Sequence, residues 1–344
     1  MNAVQYAQSN QIVDLMRQPA EQRDTKWLHK ALQQAILLEL ATLPPYLCGW
    51  WSIKDPGGAN QVFSTLRTII FDEMSHLGIA CNLLTTIGGT PRLADETLVP
   101  VYPGPLPGGV RPELTVYLSG LTTASAKMYA SIEEPEDPVT RADSAAFPSI
   151  GAFYTAIVDA LRANPQLITG DRQVTRDMTH HGSGNSLEEL RTLGDVESAI
   201  AVIKEQGEGT SASPQNPYPL ARGELAHYYA FLEIAQGHKW GDPTVVVPLP
   251  ERLPMGVVPQ GGWPRTGPDV PAAEVTALLD KFNRAYSALL RTLEEAWRQG
   301  DSELLGEAET KMFTLRSPAR ELMKRALPDD SGKTYGPEFR YVAP

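Results

Sequence analysis

Residues 62–87 read VFSTLRTIIFDEMSHLGIACNLLTTI. Every third or fourth residue gives Val62, Leu66, Ile69, Glu73, His76, Ala80, Leu83 and Ile87. This is one stripe of a helix, because side chains three and four apart share a face. The stripe is apolar except at Glu73 and His76. A carboxylate alone in a core is costly unless something pairs with it, and for an inward Glu-x-x-His the usual partner is a metal ion. In helical bundles that hold two metal ions, two helices each supply such a pair and two others each supply a Glu.

The chain contains candidates for the remaining parts. Glu224-Leu-Ala-His227 is a second Glu-x-x-His, opening a stripe through Phe231 and Ile234. In 27–43, WLHKALQQAILLELATL, the residues Leu28, Leu32, Ala35, Glu39 and Thr42/Leu43 fall on one face, with Glu39 as the break. A single such break is unremarkable. Three of matching chemistry, on separate helices, are hard to explain as surface accidents.

The chain has 344 residues, 42% hydrophobic and 21% charged, which suits a globular protein of one large domain or two. Its formal net charge of −11 argues against nucleic-acid binding and against an anionic membrane surface. Cys48 and Cys81 form no C-x-x-C pattern, which excludes zinc-ribbon and thioredoxin readings. As two free buried thiols they fit a reducing cytoplasm. The first residues, MNAVQYAQSN, carry no apolar leader, and no run is long and apolar enough to span a membrane.

Taken in order, residues 1–25 form a lead-in with a short helix at Ile12–Met16. A core helix follows from Thr25 to Leu43, where Pro44-Pro45 predicts a stop or kink. The second runs from Asn60 to Ile87 and ends at Gly88-Gly89. Residues 88–112, rich in Pro and Gly, read as a long irregular crossover. Leu114, Leu118, Leu121, Ser125, Met128 and Ile132 predict a third helix, closed by Glu133-Glu134-Pro135. Two acids at a helix C-terminus oppose its macrodipole, so an Arg or a metal is expected beside them. Residues 149–161 predict a short helix. Residues 165–194 read as loop, including Asp177-x-x-His180 and His181. A helix from Asp195 breaks at Gly-Glu208-Gly, and the one beginning with Glu224 closes at Gly237. Residues 240–271 are proline-rich, two amphipathic helices cover 272–299 and 301–326, and the tail is extended. No strand pattern stands out.

A dinuclear site needs carboxylates to bridge two cations and imidazoles to complete each coordination sphere, a donor set suited to iron or manganese. The expected metal ligands are Glu39, Glu73, His76, Glu208, Glu224 and His227, with Glu133 as a further candidate and Glu205 in reserve. Glu39, Glu73, His76 and His227 make up the catalytic set. The aromatics Tyr46, Trp50, Trp51, Tyr129, Tyr154, Tyr228 and Phe231 either line a substrate pocket or pack the core.

Several longer strings resemble one known family: LHKALQQAILLELATLPPYL, EMSHLGIACNLLTTIGGTPRL, VYPGPLP, IEEPED, SIGAFY, QGEGT, HYYAFLEI and the C-terminal YGPEFRY. They are similar to the ferritin-like domain of iminophenyl-pyruvate dimer synthases of the violacein and indolocarbazole pathways, over about residues 26–340. The resemblance implies an all-α, ferritin-like four-helix bundle over 26–240, followed over 241–344 by a proline-rich linker, two cladding helices and a tail. It implies oxidative chemistry on a small, aromatic or amino-acid-derived metabolite, using one or two ions of iron, or manganese, with dioxygen or peroxide. It places the family's acids and histidines on Glu39, Glu73, His76, Glu133, Glu208 and His227. One departure is Ala152, where the family often carries Glu; the family's pathway synthases are also longer chains. A homodimer is common for such bundles. The competing expectations are an iron-handling ferritin-like protein and a non-catalytic relative with an incomplete metal site.

Overall fold

The computed structural model describes residues 10–54, 60–135, 149–179, 183–209, 213–218 and 223–344. Its helices are α1 (Gln11–Met16), α2 (Thr25–Ser52), α3 (Gln61–Thr86), α4 (Thr123–Ile132), α5 (Ile150–Ala163), α6 (Leu193–Glu208), α7 (His227–Gln236), α8 (Ala273–Gln299) and α9 (Ser302–Leu322). A small antiparallel hairpin, β1 (His238–Lys239) with β2 (Asp242–Val246), follows α7. The sequence pattern did not reveal it. The fold is otherwise all-helical, and no helix among the described residues is long and apolar enough to cross a membrane.

The core is a bundle of two helix pairs, α2 against α3 and α4 against α7, with α3 also touching α7 and α2 touching α4. Helices α5 and α6 pair and flank it, and α8 and α9 form a second layer beside α2 and α3. Local chemistry sets several of the starts. The Asp24 carboxylate accepts from Trp27 N, Asn60 accepts from Phe63 N, and Thr192 with Asp195 closes a capping box on α6. Glycines in the left-handed region end α7 at Gly237 (φ 79°) and α8 at Gly300 (φ 70°).

Two helix boundaries depart furthest from the sequence expectation. Helix α2 does not stop at Pro44-Pro45 but runs on to Ser52. Pro45 cannot donate to the carbonyl of Ala41, and the Tyr102 hydroxyl takes that acceptor instead, at 2.7 Å. Beyond the prolines, Arg320 donates to the carbonyls of Trp51, Ile53 and Lys54, a cationic cap on the α2 C-terminus. The third predicted helix begins late, at Thr123. Thr122 and Ser125 form its capping box, while Leu114, Leu118 and Leu121 lie in a non-helical segment that pairs Val116 with Gly104. Leu118 and Leu121 are still fully buried, so their apolar character reflects core burial rather than a helical face.

The short first helix buries Ile12, Val13 and Leu15, and Trp27 Nε1 donates to the Leu15 carbonyl. Cys48 and Cys81 are buried and unpaired with each other. Residues His180 and His181 lie outside the described residues.

Candidate metal centre

Glu39 sits midway along α2, Glu73 and His76 along α3, Glu133 at the C-cap of α4, and His227 at the first position of α7. All five are buried. Ligand atoms of Glu39, Glu73 and His76 lie within 4.8 Å of one another, and so do those of Glu73, Glu133 and His227. Glu73 is the shared member. His76 Nδ1 is 3.3 Å and His227 Nδ1 is 2.9 Å from the same oxygen, Glu73 Oε1. His227 Nδ1 is nonetheless without a hydrogen bond despite that short distance. A buried polar atom left in this way calls for another partner, and a cation between imidazole and carboxylate would supply it.

A ring of hydrogen bonds holds these side chains. His227 Nε2 lies 3.2 Å from Asp72 Oδ2, whose other oxygen accepts from Gly184 N. His76 Nε2 lies 2.8 Å from Gln206 Oε1, which also accepts from Asn185. Each Nε2 thus faces an acceptor behind the ring while Nδ1 faces Glu73. A second acceptor behind the ring is the usual way of orienting a metal-ligating histidine. The Tyr154 hydroxyl donates to Glu39, and the Tyr46 hydroxyl donates to Glu133 at 2.5 Å. The Thr42 hydroxyl lies 2.9 Å from Glu73 Oε2.

Without a cation the cluster balances its charge with protons. Burial, reinforced by the charge of Glu73, pushes the Glu39 carboxyl up to about 8. The same two causes raise Glu133 to about 7. Burial disfavours the charged form of Glu73 too, but the two imidazoles facing it, His227 and His76, outweigh burial and hold Glu73 well below the usual carboxylate range. Burial opposes protonation of His76, yet the neighbouring Glu73 carboxylate lifts it to about 9. His227 is raised well above its ordinary value, with Asp72 and Glu73 overriding burial. Two raised acids and two raised bases around one ionised carboxylate are what carboxylate and imidazole ligands do when protons stand in for a cation.

Of the sequence-predicted ligands, the fold brings together Glu39, Glu73, His76, Glu133 and His227 and leaves out two. Glu208 borders the same small cavity of about 20 Å3, but its Oε1 accepts from Gly151 N at the start of α5. Glu224 is the larger correction: it is exposed and not helical, and α7 starts only at His227. The chain is extended there because Gln215 and Leu225 form a β-bridge, and Asn216 N donates to the Glu224 carbonyl. Three residues along an extended segment do not share a helical face. Glu205 lies apart and accepts from Tyr218. Of the acids after α4, Glu133 turns inward and Glu134 pairs with Arg111 at 2.9 Å, so the expected Arg is present.

Sequence reasoning missed Asp72, Gln206 and Thr42. The tandem Asp72-Glu73 inside an apolar run was the available signal for the first. Thr42 stood on the same helical face as Glu39, whereas Gln206 had no signal. Most of the flagged aromatics pack: Tyr46, Tyr129 and Phe231 stack at 4.9–5.3 Å, and Trp51 stacks on Phe339. Among them only Tyr154 borders the small cavity.

Comparison with solved structures finds a ferritin-like protein from Caulobacter vibrioides, with a TM-score of 0.61 at 20% identity, over 92% of this chain and 97% of that one. Comparison with curated proteins gives no match. A model of the Ferritin-like family matches residues 32–236, the span that carries all five clustered ligands. With that match covering more than half of its length, the chain belongs to the Ferritin-like family.

Proposed function

We propose that this protein is a metal-dependent oxidoreductase with a non-haem dinuclear iron centre held by Glu39, Glu73, His76, Glu133 and His227. The observation that carries the reading is the convergence of two imidazole Nδ1 atoms on one carboxylate oxygen, with His227 Nδ1 lacking any hydrogen bond. Hard oxygen and imidazole donors without thiolate suit iron or manganese. Glu73 lies between the two groups and is suited to bridge. Glu39 with His76 would hold a metal on one side and Glu133 with His227 on the other. Bound iron would supply the electrons for reducing dioxygen or peroxide. The chain's own residues fix the geometry: Tyr154, Tyr46 and Thr42 orient the carboxylates, and Asp72 and Gln206 set the histidine tautomers.

The motif resemblance to iminophenyl-pyruvate dimer synthases supports a small, aromatic or amino-acid-derived substrate from specialised metabolism. A homodimer is common for such bundles, and the two free thiols fit a cytoplasmic setting. A second reading, iron oxidation without an organic substrate, is favoured by the cavity beside the ligands, whose 20 Å3 has room for a water-sized group. The test is anaerobic Fe(II) titration followed by admission of air. Saturation near two ions per chain, with oxidation that repeats only when an organic reductant or substrate is added, supports the oxidoreductase. Continued oxidation of many ions per chain supports iron handling. No saturable binding contradicts both.

A further inference from the structure

A second cavity lies on the opposite side of α2 and α3 from the metal cluster, where these helices meet α8 and α9. On α2, Glu39 and Thr42 face the cluster while Leu40, Leu43 and Leu47 line the cavity. It measures about 80 Å3, and its walls are almost wholly apolar. Protein interiors hold few voids larger than a water, and this space, partly open to solvent, exceeds that size.

One wall residue carries an unmet need. Tyr286 is 4% exposed, and its hydroxyl has no hydrogen-bond partner among the described residues. Buried hydroxyls are almost always satisfied. Of the other polar side chains at the cavity, Glu309 is already paired with Arg176 at 2.6 Å and Trp297 Nε1 donates to Asn82. Water would sit poorly there, since a buried water needs two to four polar partners. Met74, Met178 and Met312 form part of the wall, and methionine side chains adapt to the shape of an occupant.

We propose that this cavity binds a small, mainly apolar molecule, a single ring or short alkyl chain, whose one hydroxyl or carbonyl pairs with Tyr286. Apolar pockets with one or two convergent polar groups are the common form of small-molecule sites. The proposal does not rest on the metal reading, and the two fail separately.

The test titrates the full-length protein with benzyl alcohol and with toluene, two probes of one shape that differ by a hydroxyl. Calorimetry is expected to show saturable binding at one site, with benzyl alcohol the tighter. Ala308 is fully buried in the cavity wall, and Ala308→Leu fills the space; it is expected to weaken both probes at least tenfold. Tyr286→Phe is expected to leave toluene unchanged and to cut the preference for benzyl alcohol at least fivefold. Should Ala308→Leu fail to fold, the Tyr286→Phe ratio still decides. Metal content is expected to be unchanged in both variants. Absence of saturable binding to the wild type, wild-type affinities in Ala308→Leu, or an unmoved preference in Tyr286→Phe would overturn the proposal.

Discussion

Glu73 accepts a hydroxyl from α2 and faces two imidazoles, one from its own helix and one from α7. The pair Glu73 and His76 was legible because helical periodicity places them on one apolar stripe. Asp72 was not, since it sits one position further round α3 and its role depends on His227, 155 residues away in sequence. Glu224 was misread for the complementary reason. A β-bridge to Gln215 holds it extended, and no local pattern announces a non-local pairing. The orienting acceptors give a direct prediction. Asp72→Asn and Gln206→Leu are each expected to lower metal affinity 10–100-fold while leaving the far-ultraviolet circular dichroism unchanged. Competition with a chromogenic chelator measures this, and wild-type affinity in both variants would remove these residues from the site's support.

The long helices α3 and α8 follow their apolar stripes almost to the residue, and α9 ends four residues short of its expected span, because each buries one face over many turns. The two boundary errors arose where tertiary contacts overrode local rules. Helix α2 passes its two prolines because a tyrosine from the crossover occupies the freed carbonyl. Tyr102→Phe leaves the Ala41 carbonyl buried without that donor, which is expected to destabilise the fold by about 1–3 kcal/mol, read from the urea midpoint. No change would mean that the hydrogen bond does not sustain the helix beyond Pro45. The helix α4 starts at a Thr-x-x-Ser box whose signal was weaker than the leucines before it. A further element-level prediction concerns Gly151, where an added Cβ would lie 2.5 Å from Glu208 Oε2. Gly151→Ala is expected to displace the Glu208 carboxylate and lower the melting temperature, and scanning calorimetry checks it.

For the molecule as a whole, the protonated cluster ties stability to pH. Glu133, Glu39 and His76 have folded-state values raised to about 7, 8 and 9. A folded state that binds more protons than the unfolded chain loses stability as pH rises. The metal-free protein is therefore expected to melt at progressively lower temperature from about pH 5 to pH 9, while the depressed Glu73 matters only in acid. Ligation needs ionised carboxylates and neutral imidazoles, so the stabilisation that iron adds is expected to grow over the same interval. Thermal melts with and without Fe(II) at pH 6 and pH 9 check both signs. All of this depends on a cation joining side chains from α2, α3, α4 and α7, and anomalous scattering at the iron edge from crystals of iron-loaded protein tests that most directly. The account predicts two peaks within ligand distance of Glu73, one toward Glu39 and His76 and the other toward Glu133 and His227. An iron-free cluster in such crystals, or peaks only at other residues, would contradict it.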